Sequence, residues 1–291
     1  MASINICFPS NPASPREVDP EYLADAQTFY NLGAGILVWP MDEPGARVTN
    51  AKGFSQIEDA PVAWRGWMLD SKQYQAWVSA LNEREPRFSL GQYEMHHRMR
   101  NWVPAVEGFT PKTWFVHSSA QAQEGMFPCH VKDGVKSANA SHLPRPCLSQ
   151  ADVALHETEL KRQRGRLDDG LVLRAHVDAW PAETRVWVMG PNIEDFFYVA
   201  RGKGAPEPSV DWLHEVLANA PAHFFDAPFT MDIARRKCPV SYFIMDIGDA
   251  GVSDYKEGNQ DARFLAGLRQ RWMEALSQPI MALTASGPSM R

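Results

Sequence analysis

Cysteine is scarce in this 291-residue chain: Cys7, Cys129, Cys147 and Cys238 are scattered along it. No two have the close spacing of a zinc-ligand pair, and so few thiols make no disulfide scaffold. Long apolar runs are also missing, and none approaches the ~20 residues needed to span a bilayer. The opening MASINICFPSNP lacks the basic stretch and long apolar segment of a secretory leader, so a cytoplasmic protein with reduced thiols is expected. Cations are in deficit, 29 Lys and Arg against 35 Asp and Glu for a net charge of −6. That excludes a general nucleic-acid binder, which needs clustered Lys and Arg. There is no internal repeat, no heptad pattern, no GxSxG elbow, no catalytic Cys–His signature and no GxxxxGK[ST] loop. The histidines, among them His96, His97, His130, His142, His156 and His176, show no ligand spacing.

What is present is a globular composition. Hydrophobic residues make up 44% and tryptophans number ten, enough for one large domain or two ordinary ones. INICF and GILVWP read as strands flanking the helix DPEYLADAQTFYNLG, a β-α-β start that predicts a parallel sheet with a ligand crevice at the strands' carboxyl ends. PVAWRGWML reads as a strand, and SKQYQAWVSALNERE as a helix with Ser71 as N-cap. Residues 86–113 read as irregular, with a boundary near GFTPKTWF. Beyond it, helices SQADVALHETELKRQRG (a Ser149–Asp152 capping box at its start and Gly165 as its stop), SVDWLHEVLANA and NQDARFLAGLRQRWMEAL alternate with strand pairs, an α+β pattern. GLVLRAHVD and ETRVWVMG form one such pair.

Several residues carry chemistry. Asp232 lies in FTMDIA, and Asp246 and Asp249 close SYFIMDIGDAG. If these runs pair, Asp232 and Asp246 face each other, and Asp249 reaches the same point around Gly248. Three carboxylates without His or Cys suit a hard cation such as Mg²⁺; turn and cap acids facing water are the other reading. The loop KDGVKS places Lys132 and Lys136 four apart, to hold phosphates or simply to face solvent. Glu183 and Arg185 share one strand face, in a cleft or as an exposed ion pair. Arg65 stands among tryptophans, to recognise a carboxylate or to pack.

Taken in order, FPSNPASPREVDPEY, WRGWML, VKDGVKS, GLVLRAHV, ETRVWV, MDIA and IMDIGDAGVS resemble the ATP-grasp superfamily, in particular its clade named for one arginine and two lysines. The resemblance implies an ATP-grasp fold, α+β with an α/β amino-terminal part: a Rossmann-like region over residues 1–112, then two nucleotide-holding lobes over 113–291. It implies that Lys132 contacts the α/β-phosphates and that Lys136, with Ser137, lies on the phosphate-covering loop. Arg174, Ala175, His176 and Val177 fall at the adenine hinge, Glu183 also joins the nucleotide site, and Arg185 faces the transferring phosphate. Asp232, Asp246 and Asp249 would bind Mg²⁺, although the second acid is usually glutamate and the third position usually asparagine. Arg65 is assigned to a substrate carboxylate. The implied activity is an ADP-forming ligase that joins a small-molecule or peptide carboxylate to an amine through an acyl phosphate. A phosphotransferase or a non-catalytic nucleotide-binding protein is the alternative. No nucleic acid or membrane partner is expected; dimers are common among the enzymes resembled.

Overall fold

The computed structural model describes residues 3–43, 45–135, 141–167, 169–190, 196–201, 203–253 and 262–274. Its first strand, β1 (Asn5–Asn11), is buried along nearly its whole length, as befits an apolar run in the middle of a parallel sheet. The proline-containing stretch after INICF extends β1, turns at residues 12–13 and returns as β2 (Ser14–Val18), antiparallel to it. Helix α1 (Leu23–Asn31) buries Ala26 and Phe29 and leads to β3 (Gly35–Trp39), parallel to β1. The short β4 (Thr49–Asn50) pairs with β3, and β5 (Val62–Trp64) lies parallel to β1 on its other side. The β-α-β start is thus observed. The sheet reverses its order at β1, which has β3 on one side and β5 on the other.

Helix α2 (Ser71–Ala80) is capped by Asp70, one residue before the expected Ser71, through a capping box with Gln73. Residues 86–113 are not irregular. They hold α3 (Leu90–His97), opened by a Ser89–Gln92 capping box, and α4 (Met99–Trp102). Their prolines fall outside both helices, Pro86 before α3, Pro104 in the 3-10 turn after α4 and Pro111 before the next strand, where they interrupt nothing.

Strands β6 (Thr113–Val116), β7 (Cys129–Lys132) and β8 (Leu171–Ala175) form an antiparallel sheet in the order β6-β8-β7. Helix α5 (Gln150–Arg164) covers it, with the Ser149–Asp152 capping box read from sequence and Gly165 at its end at φ 77°. A second sheet contains β9 (Ala179–Val188), β10 (Phe196–Arg201), β11 (Phe229–Arg236) and β12 (Ser241–Asp249), in the order β10-β9-β11-β12. The expected pairing of GLVLRAHVD with ETRVWVMG fails. Both edges of β8 are taken by β6 and β7, so β9 must start a new sheet.

Helix α6 (Val210–Asn219) packs Leu213, Val216 and Leu217 with Met99, Trp102, Val186, Met231 and Ile233 on one face of the four-stranded sheet. Helix α7 (Ala262–Glu274) returns to the first half, where Phe264, Leu268 and Trp272 join Phe8, Phe29 and Ile36. The two cores therefore both cross residue 112: α4 belongs with the later sheet and α7 with the earlier one.

Candidate active site

Three charged side chains lie in a row across the four-stranded sheet. Asp232 of β11 is the register partner of Arg185 on β9 and of Asp246 on β12. Period-two alternation turns Val186, Val188, Met231 and Ile233 to the core and sends Arg185 and Asp232 to the opposite face. Arg185 grips Asp232 with two bonds, Nε to Oδ1 and Nη2 to Oδ2, each 2.7 Å. From the other sheet, Lys132 at the end of β7 reaches Asp246, Nζ to Oδ2 at 2.8 Å. Two of the aspartates expected to meet a cation thus meet protein cations, which is what makes their partial burial tolerable.

Beside Lys132 a cleft of about 260 Å³ opens between the two sheets. Its walls are largely apolar (Pro111, Val131, Val177, Phe243, Met245), with His130, Arg145, His156 and Arg174 as the polar groups besides Lys132. Ala175 and Val177 of the expected hinge also line it. His176 is at hydrogen-bond distance from His130, Nδ1 to Nε2 at 2.9 Å. Burial, then His176, Arg174 and Arg145, pull the His130 imidazole down to about 4, so it is neutral near pH 7. This pair, 46 residues apart in sequence, meets because β7 packs against β8. The alternation of His130 with Lys132 on one strand face was the only signal in the sequence.

The other expected site residues divide. The Arg174 guanidinium points away from bulk solvent, bonding the Met245 carbonyl, the Ile244 carbonyl at 3.2 Å and Thr110 Oγ1 at 2.6 Å. Burial lowers it to about 10, and it ties β8 to β12. Glu183 sits two residues from Arg185 on the same strand face. Lys136 and Ser137 lie outside the described residues.

Asp249 does not join the acid pair. β12 runs on through Gly248 to Asp249 as strand, and an odd spacing from Asp246 sends the side chain to the opposite face. There its Oδ1 accepts from the Gly251 N–H at 2.7 Å, beside Tyr74, Tyr93 and Trp272. Burial raises this carboxyl to about 7. Among the described residues no group of three His, Cys, Asp or Glu side chains could hold a metal.

Arg65 is likewise removed from solvent, 4% exposed. It binds Asp25 through Nε (3.0 Å) and Nη2 (2.8 Å), and Nη1 reaches the Ser253 carbonyl at 2.9 Å and that of Gly251 at 3.3 Å. These donors are spent on holding α1 and β5 to the segment after β12, which corrects the expected substrate-carboxylate role.

Asp232 and Asp246 alone still fit Mg²⁺, which is commonly held by one or two carboxylates and otherwise by substrate phosphates and water.

No family model and no curated protein matches the sequence. Solved structures do match the fold. The D-alanine-D-alanine ligase from Coxiella burnetii is 11% identical with a TM-score of 0.56, over 95% of this chain and 95% of that one. An L-amino acid ligase from Bacillus licheniformis is 12% identical at 0.55, covering 96% of this chain and 78% of its own. A RimK domain ATP-grasp protein from Sphaerobacter thermophilus is 11% identical at 0.55, covering 94% and 98%. The chain has the ATP-grasp fold.

Proposed function

We propose that this ATP-grasp chain is an ADP-forming ligase that joins a carboxylate to an amine. The observation that carries the reading is the meeting of Lys132, Arg185, Asp232 and Asp246 beside a mostly apolar cleft between the two sheets. The cleft suits a purine ring, and the charged row suits a polyphosphate.

In this reading the base lies against Val177, Ala175 and Met245, and the phosphates run toward Lys132. Lys132 neutralises the phosphate chain, assisted by Lys136 and Ser137, and Arg185 faces the γ-phosphate. Asp232 and Asp246 would hold Mg²⁺, which would supply charge neutralisation on the phosphates. A substrate carboxylate oxygen attacks the γ-phosphorus, the bond to the β-phosphate oxygen breaks, and ADP leaves. The amine then adds to the acyl phosphate carbon, loses its proton and expels phosphate, forming the amide. Positioning and charge stabilisation suffice for both steps, so no protein nucleophile is needed. The carboxylate and amine are small molecules or peptides, as the names of the similar ligases suggest.

Calorimetry with MgATP tests the site directly. The wild type should bind, and Lys132→Ala and Asp246→Asn should each weaken binding by about tenfold or more, as expected for a lost charge contact in a shielded site. A folded wild type that binds no MgATP refutes the reading. Release of free phosphate with ADP, in place of a phosphorylated product, then separates ligase from phosphotransferase.

A further inference from the structure

The ion pairs of the row leave no carboxylate oxygen of Asp232 or Asp246 without a donor. Asp246 Oδ2 takes Lys132 at 2.8 Å and its Oδ1 takes the Ile247 N–H at 3.1 Å. Both Asp232 oxygens take Arg185 at 2.7 Å. We infer that these contacts form a charge lock that makes divalent-cation binding conditional on a polyphosphate: Asp246 becomes a metal ligand only when a phosphate takes Lys132 from it. This rests on the nucleotide reading above and concerns how the same site is regulated.

In so shielded a place each charge must keep a partner. The side chains are 15% and 35% exposed for Lys132 and Asp246, and 11% and 12% for Arg185 and Asp232. Solvent ions screen such pairs poorly. A bare cation meets two protein cations already seated on both acids, and displacing either leaves a partly buried positive charge unpaired, which is costly. A bare polyphosphate meets the converse, two anions beside the cations it needs. When both arrive, Lys132 passes to phosphate and Asp246 to the metal, and every charge stays paired. The exchange starts at Lys132. It makes one contact to the more exposed acid, whereas Arg185 holds Asp232 by a bidentate grip that is harder to break.

The lock predicts that removing Lys132 helps a metal while harming nucleotide binding. Manganese(II) alone, titrated into the protein and followed by the loss of the free-ion EPR signal, reads this without turnover. The wild type should bind Mn²⁺ weakly. Lys132→Met, which keeps the apolar stem, should bind it about tenfold more tightly or better, the effect expected of removing a unit charge a few ångströms away. Lys132→Gln should behave the same way, so that a folding defect in one variant leaves the other to decide. Lys132→Arg, which keeps the charge, should stay close to wild type. Adding Asp246→Asn to Lys132→Met should abolish the gain. If the wild type binds Mn²⁺ as tightly as the neutral variants, or if the gain survives Asp246→Asn, the lock is wrong. MgATP binding by the wild type, measured alongside, decides the nucleotide reading separately. A lock confirmed by Mn²⁺ without MgATP binding would leave the exchange partner, not the exchange, in error.

Discussion

Arg65 is a buried strut, and removing its charge should cost stability. Its guanidinium is buried against Asp25, with side-chain exposures of 5% and 11%, and is further held by the carbonyls of Gly251 and Ser253. Arg65→Met removes the charge but roughly keeps the length of the side chain. It strands the Asp25 carboxylate in the interior and takes the Arg65 donor from the Ser253 carbonyl, while the Gly251 carbonyl keeps the Gly66 N–H at 3.2 Å. Breaking a buried pair from one side costs about 3–5 kcal/mol, a large share of the roughly 5–15 kcal/mol that holds a domain. At about 2–4 °C per kcal/mol, a loss near 4 lowers the melting temperature by roughly 8–16 °C. The double variant Asp25→Leu/Arg65→Met removes both charges and should recover more than half of that loss, since replacing a whole buried pair by apolar side chains is often close to neutral. Urea unfolding and thermal melts of the wild type, both single variants and the double variant supply the cycle. A melt of Arg65→Met within 2–3 °C of wild type, equivalent to about 1 kcal/mol, would refute the strut. So would a double variant no more stable than the singles. A substrate-binding arginine would leave stability alone and raise a KM instead.

Asp249 predicts a pH dependence. Burial raises its carboxyl to about 7, against about 3.9 for an exposed aspartate, so the folded chain keeps a proton that the unfolded chain releases. Its contribution is therefore fully present below about pH 4 and is lost as pH rises through 7. Asp249→Asn, which can still accept from Gly251, should be more stable than wild type at pH 8 and should show a flatter urea midpoint between pH 4 and 7. Parallel profiles would rule this out. Gly170 has φ +72°, and a Cβ there would lie 2.3 Å from the Val116 carbonyl oxygen. Gly170→Ala should therefore lose well over the roughly 1–2 kcal/mol expected of Gly108→Ala, where φ is also positive but nothing lies within 4 Å. Thermal melts that rank the two variants equally would contradict the close approach.

Much of the chain was legible because its signals are local. The Ser149–Asp152 box and Gly165 bracket α5 as read, since caps satisfy backbone groups within one turn. The antiparallel pairing of FTMDIA with SYFIMDIG, which sets Asp232 opposite Asp246, followed from two apolar runs joined by a short connection. The hydrophobic period also put Glu183 and Arg185 on one face of β9. The resemblance to ATP-grasp proteins, carried by short motifs in order, anticipated the fold that the solved structures match.

What needed the tertiary structure was every question of which face and which sheet. The sequence determined that Asp249 follows Asp246 by three positions. Only the continuation of β12 through Gly248 decided that the two carboxylates point to opposite sides. The sequence likewise placed Arg65 between tryptophans, but Asp25, 40 residues earlier, decided that its charge is structural. The meetings of His130 with His176 and of Lys132 with Asp246 join residues 46 and 114 apart. No local rule reports such contacts, because they are fixed when separate sheets pack and each charge must find a partner or stay in water. Local periodicity settles which residues can share a face, and the packing of faces settles what chemistry they meet.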